Sequence, residues 1–239
     1  MLNKTFGLFT HNNNFFALQT NSGISAVLTK PALWAGLVLA ILYLVGIGGL
    51  NLPQTQPLFL KLVPLNLVIT TTILLSFGPL RSGWFWLFSV LIVASGLYVE
   101  WLGVSTGKIF GAYSYGKTLG PLLAGKVPWV IGANWLLLVY ASGSAVSRLP
   151  IPDVFKCIVA ALLMTLLDVL IEPVAVRLDF WFWQYGKVPF LNYGAWFVIS
   201  GIMQALFFSM PFNKQNPLAG WVFAIQVFFF LANTVLVVW

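Results

Sequence analysis

The chain has 239 residues, of which 60% are apolar and only 7% charged, and its mean hydropathy is +0.94. A soluble fold cannot hide that much apolar surface, so lipid must be the solvent for most of the chain. The net charge of +7 comes from lysines and arginines scattered singly between apolar runs, which points to anionic lipid headgroups and away from nucleic acid.

Residues 1–30 are mixed and polar, with the run His11-Asn12-Asn13-Asn14. They lack the basic start, short apolar core and small-residue cleavage site of a signal peptide. A tail is expected here, with Phe15 and Phe16 resting on the membrane. Residues 31–239 then form a single transmembrane helical domain. Seven apolar runs follow, at 31–50, 58–80, 84–103, 128–147, 155–176, 194–212 and 218–239. Each is close to the ~20 residues that cross a ~30 Å hydrocarbon layer. The second run carries Lys61 and Pro64 in its first turns, where a lysine can snorkel to the headgroups. The expected fold is an all-α, polytopic transmembrane helical bundle of about seven spans, with short connections and antiparallel neighbours.

Two connections differ from ordinary charged loops. Residues 104–127 include Gly107, Phe110, Gly111, Tyr113, Tyr115, Gly116 and Gly120-Pro121, and residues 177–193 include Trp181, Trp183, Tyr185, Gly186 and Pro189. Glycine mixed with aromatics suits interfacial or re-entrant backbone that lines a pocket. Charge does not orient the bundle. Lys4, Lys30, Arg81, Arg148, Lys156 and Lys214 fall on one side, and Lys61, Lys108, Lys117, Lys126, Arg177 and Lys187 on the other. With the two sides equal, the positive-inside rule does not say which one faces the cytoplasm.

Cys157 is the single cysteine and His11 the single histidine, so an intrachain disulfide or a His-ligated zinc or haem site is not expected. The five acids carry more information. Asp153 lies in a short connection, as a solvated residue. Glu100 falls about one turn from the end of the third run. Asp168 and Glu172 lie one helical turn apart in the fifth, on one helix face. Asp179 follows beside Arg177, which suggests a surface ion pair. The third and fifth runs cross in the same direction, so Glu100, Asp168, Glu172 and both unusual connections converge on one membrane face.

An ionised acid at a helix centre costs roughly 2.5–3.5 kcal/mol, and less near an end. Two carboxyls one turn apart in low dielectric cannot both ionise cheaply and are expected to share a proton. A carboxyl that keeps its proton is what a general acid needs. The plainer readings are headgroup contact for Glu100 and interhelical hydrogen bonding for Asp168 and Glu172. Trp101, Trp129, Trp181, Trp183 and Trp196 read singly as belt anchors, and Asn134, Gln204, Gln226 and Asn233 as interhelical hydrogen-bonders.

The stretch Glu100-Trp-Leu-Gly103, Gly107, Phe110-Gly111-Ala-Tyr113-Ser-Tyr115, Leu119-Gly120-Pro121, Val127-Pro128 resembles a signature of the membrane carotenoid-biosynthesis hydratases, which include gamma-carotene 1′-hydratases and bisanhydrobacterioruberin hydratases. So does Asp168, Glu172-Pro173-Val174-Ala175, Trp181-Phe-Trp183, Tyr185-Gly186, Val188-Pro189, Asn192, Trp196. The resemblance covers roughly residues 95–200. Glu172 stands where many relatives carry Asp, and Ala195 where Gly precedes the tryptophan.

The resemblance implies addition of water across the terminal C1=C2 bond of an acyclic carotenoid end group, in carotenoid biosynthesis in a prokaryotic cell membrane. The expected partners are a membrane-embedded carotenoid, water, the lipid bilayer and other enzymes of the pathway; no cofactor is expected. Asp168 and Glu172 would supply the proton and Glu100 would position water. Tyr113, Tyr115, Trp129, Trp181, Trp183 and Asn192 would line the pocket. The rival reading is a small-solute or proton-coupled transporter, because intramembrane carboxylates and broken helices are common there.

Overall fold

A computed structural model describes residues 30–237. The polar stretch with His11, Phe15 and Phe16 lies outside the described residues. Seven helices follow in chain order: α1 (Lys30–Asn51), α2 (Gln56–Ser76), α3 (Gly83–Thr106), α4 (Val130–Val146), α5 (Asp153–Arg177), α6 (Phe190–Ser209) and α7 (Ala219–Val237). Six are long and apolar enough to cross a membrane, and α4, with 17 residues, is the shorter one. At 1.5 Å per residue α4 is about 25 Å long. The chain is a polytopic helical membrane protein.

α4 is the central post. Fourteen of its residues are buried, and it packs against α2, α3, α5, α6 and α7. The outer helices are buried on one side only. Trp34, Ile41, Val90, Leu166 and Ile202 are each more than half exposed, an arrangement that water would punish and hydrocarbon accepts. α1 closes the bundle against α2 and α7.

Of the helix boundaries that differ from the sequence reading, two move site residues. α3 runs on to Thr106, where Gly107 at φ 64° ends it by donating its backbone N–H to the Gly103 carbonyl. A left-handed cap of this kind suits glycine, which has no Cβ to clash. Glu100 therefore lies nearly two turns inside the helix. α6 begins at Phe190, directly after Pro189, whose fixed φ and missing N–H favour a helix start. Asn192 thus belongs to the first turn of α6 and not to the preceding connection.

The two aromatic connections are joined to each other. β1 (Tyr113–Tyr115) pairs antiparallel with β4 (Trp181–Trp183), matching Tyr113 with Trp183 and Tyr115 with Trp181. A second small hairpin pairs β2 (Leu122–Leu123) with β3 (Val127–Pro128). The β1–β4 ribbon is continued by Gly116 N–H to the Phe180 carbonyl and Gln184 N–H to the Ala112 carbonyl. It ties the end of α3 to the end of α5, which requires both ends to lie on the same side of the bundle.

Candidate active site

Side chains alternate across a strand, so Tyr113, Tyr115, Trp181 and Trp183 share one face of the ribbon, while Ser114 and Phe182 face outward and are exposed. The shared face closes one end of a cavity of about 390 Å³, lined largely by apolar groups. Glu100 and Glu172 both reach this cavity, together with Asn192 and Trp196. The aromatic face is a packed layer: ring centroids lie 5.3 Å apart for Tyr113 and Trp183, and 5.6 Å for Tyr113 and Tyr115.

Glu100 is 5% exposed and takes three hydrogen bonds. Tyr113 Oη and Tyr115 Oη donate to Oε2 at 2.5 and 2.7 Å, and Trp135 Nε1 donates to Oε1 at 3.1 Å. Burial, and then the neighbouring Glu100 carboxyl, push both phenols well above the ordinary tyrosine range. They therefore remain protonated donors at neutral pH.

Glu172 is 3% exposed. Its Oε2 accepts from Trp183 Nε1 at 2.8 Å and Trp181 Nε1 at 3.1 Å. Asn192 Nδ2 bridges the two buried acids of α5, donating to Asp168 Oδ2 at 2.7 Å and to Glu172 Oε1 at 3.2 Å. Asp168 is fully buried and does not line the cavity, and its Oδ1 has no partner among the described residues. Pro173 follows Glu172 directly inside α5 and deletes one backbone hydrogen bond there.

The structure thus brings together Glu100, Glu172, Tyr113, Tyr115, Trp181, Trp183 and Asn192, with Asp168 behind Glu172. It does not bring Trp129 to the cavity. That residue precedes α4 and is 43% exposed, pointing outward while its neighbours Val127, Pro128 and Val130 turn in. Asp179 is not paired with Arg177. It lies at φ 57° and its Oδ2 accepts the Lys117 backbone N–H at 3.0 Å, while Arg177 donates to Asn51 Oδ1 at 3.0 Å. The two α5-end residues point apart because the chain turns sharply at Asp179. Asp153 forms an ion pair with Lys156 at 3.0 Å. Gln204, Gln226 and Asn233 make interhelical hydrogen bonds. Asn134 instead lines the cavity and makes no side-chain hydrogen bond among the described residues.

The family model described as carotenoid biosynthesis protein matches residues 62–239. The chain belongs to that family. Bisanhydrobacterioruberin hydratase of Haloarcula japonica (strain ATCC 49778) is 31% identical over 140 residues, a match covering 52% of this chain. The match spans 46% of that relative's length, so it extends over about half of the curated protein. No solved structure matches the chain. Every residue of the cavity's acidic end, from Glu100 to Trp196, falls inside the family match.

Besides Trp196, read from the sequence as a belt anchor, Trp135 is a site residue that sequence reasoning missed. It is fully buried in α4 and stacked on Trp196, with centroids 4.5 Å apart and planes 15° from parallel. Its signal was available: an indole in the middle of an apolar helix must find an acceptor for its N–H.

Proposed function

We propose that this protein is a carotenoid hydratase, adding water across the terminal C1=C2 bond of an acyclic carotenoid end group. The observation that carries the reading is the pair of buried carboxyl groups, Glu100 and Glu172, on the wall of one aromatic-capped cavity within a membrane-embedded bundle. The family and the named activity of the Haloarcula relative support the same class of substrate.

In the proposed reaction the Asp168/Glu172 pair holds one proton between two carboxyls, and Glu172, the member that reaches the cavity, delivers it to C2. The C1=C2 electron pair forms the new C–H bond and leaves a tertiary cation at C1. The faces of Tyr113, Tyr115, Trp181, Trp183 and Trp196 suit a cation in a site closed to bulk water. A water molecule attacks C1, and Glu100 accepts the proton it releases. Return of that proton to the α5 pair leaves the enzyme unchanged and the product heavier by one water. Asp168 acts through Glu172 as a positioning residue.

Cavity-lining residues of α1 and α2, Val45 and Leu65 among them, are also more than half exposed on the lipid side. A carotenoid can therefore enter from the bilayer without crossing water. We assign residues 31–239 to a single membrane domain, residing in a prokaryotic cell membrane and acting with other carotenoid-pathway enzymes. The transporter reading is weaker, because the two acids that reach the cavity, Glu100 and Glu172, sit towards the α3 and α5 ends and are held by fixed donors.

The test is expression in a host that accumulates lycopene or gamma-carotene, followed by pigment mass analysis. A tertiary-hydroxylated product, one water heavier, is expected. Unchanged pigment in membranes holding folded protein would refute the hydratase.

A further inference from the structure

The same cavity has a second polar station that the proposed reaction does not use. It lies between α1, α2 and α7, where Tyr43, Asn66 and Gln226 join the lining. Gln226 Nε2 donates to Tyr43 Oη at 2.9 Å, Tyr43 Oη lies 3.2 Å from Thr70 Oγ1, and Thr70 Oγ1 donates to the Asn66 carbonyl at 2.8 Å. Thr70 spends its hydrogen on that carbonyl, so Tyr43 donates to Thr70 and accepts from Gln226. The two hydroxyls are committed.

The amides are not. Gln226 Oε1 accepts no hydrogen bond among the described residues, and Gln226 lies on the cavity wall. Asn66, one turn before Thr70, lies beside the Tyr43 hydroxyl and also lines the cavity. Interhelical bonding alone would account for Tyr43 and Thr70. It gives no reason for an open carbonyl and a second amide to face a largely apolar cavity, where unpaired polar groups are costly.

Depth separates this station from Glu100 and Glu172, the two acids that reach the cavity. Glu172 and Glu100 lie about 8 and 9 Å along the helix axes from the ends of α5 and α3, at 1.5 Å per residue. Tyr43 and Gln226 lie about 12 and 16 Å from the corresponding ends of α1 and α7. The second station is therefore closer to the middle of the membrane, along the cavity from the aromatic end.

We propose that Asn66 and Gln226 form a subsite for a hydroxyl group carried by the substrate, deeper in the membrane than its reacting double bond. The amide carbonyl of Gln226 accepts the hydroxyl hydrogen, and the Asn66 amide donates to its oxygen. A hydroxyl tethered to a chain is satisfied by these two partners, whereas a free buried water typically makes about three hydrogen bonds. The preferred substrate is then an oxygenated polyene, and an oxygen-introducing reaction must precede this one. This inference rests on the carotenoid-hydratase reading of the acidic end.

The experiment uses the full chain in lipid nanodiscs with two polyenes that share the reactive end and differ by one hydroxyl. Binding is read from quenching of tryptophan emission, and turnover from product mass. The hydroxylated polyene is expected to bind about three- to tenfold more tightly, the range for one or two net hydrogen bonds. Asn66→Leu and Gln226→Leu should bring that ratio towards one. Asn66→Leu leaves the Tyr43–Thr70 and Tyr43–Gln226 bonds in place, so it decides the matter if Gln226→Leu fails to fold. An equal ratio in the wild type, or a preference untouched by Asn66→Leu, overturns the subsite and leaves a water site only. A binding preference without water addition supports the subsite and counts against the hydratase; hydration without a preference does the reverse.

Discussion

Glu100 and Glu172 occupy similar places, each about one and a half turns from the C-terminal end of its helix and each reached by the β1–β4 ribbon. Their donors differ. Two of the three groups on Glu100 are hydroxyls, while all three on Glu172 are N–H groups. A hydroxyl can give one proton and accept another, whereas an indole or amide N–H only donates. Glu172 also has a second carboxyl, Asp168, bridged to it by one amide nitrogen, and Glu100 has none so close. In the proposed reaction one station thus takes up a proton and passes it on, and the other holds a proton between two acids. The ribbon supplies both from a single face because tyrosines fill one strand and tryptophans the other.

The largest effect should fall on the proton-holding station. Glu172→Gln is expected to cut hydrated product by about 10²–10⁴-fold, the usual contribution of a positioned general acid. Asp168→Asn should cost less, because Asp168 never reaches the cavity. Product measured per folded protein checks both, and normal turnover in Glu172→Gln would remove the acid assignment. Next comes Glu100→Gln, expected to slow turnover by about 10²-fold and to remove one limb of the rate–pH profile. If both carboxamides leave the profile with the same shape, the two stations are not distinct.

A smaller effect is expected from Tyr113→Phe and Tyr115→Phe, each slowing kcat about tenfold, the low end of the roughly 1.5–3 kcal/mol that a hydrogen bond to a charged group contributes, because the other hydroxyl stays on Glu100. Because both phenols titrate well above the ordinary range, the wild-type rate should show no tyrosine-dependent fall up to pH ~10. Trp183→Phe keeps a ring in the layer but removes a donor from Glu172, and should act on product yield without altering the Glu100 limb. Equal pH profiles for the tyrosine and tryptophan variants would erase the contrast.

The helices were legible because apolar runs of spanning length leave few alternatives, and helix direction alone placed the acids on one side. Two positions were misread by local causes. The glycine that caps α3 lies at 107, beyond the last strongly apolar residue, so Glu100 read as nearer the end than it is. Pro189 starts α6 four residues before the apolar run expected at 194, which hid Asn192 in a loop. The ribbon could not be read as paired strands, since three-residue strands about 70 positions apart carry almost no local signal. Its alternation of tyrosines and of tryptophans did mark one aromatic face. The split between Glu172 on the cavity wall and Asp168 behind it depends on packing against α6, which no spacing rule conveys.

The smallest effect tests whether Glu100 depends on its single indole donor. Gly96 lies one turn before Glu100 on α3, and a Cβ added there would sit 2.7 Å from Trp135 Cδ1 and Cγ. Trp135 has no room to retreat, being fully buried and stacked on Trp196 at 4.5 Å. Gly96→Ala should therefore cost about 1–3 kcal/mol of stability, as overpacking does, read as a lower unfolding midpoint in detergent. Turnover should fall only a few-fold, because the two tyrosine hydroxyls still hold Glu100 Oε2. Trp135→Phe separates the causes: it deletes the N–H while relieving no crowding at Gly96, so it should slow turnover with less loss of stability. If Gly96→Ala instead abolished turnover as Glu172→Gln does, the indole rather than the tyrosines would be setting the position of Glu100.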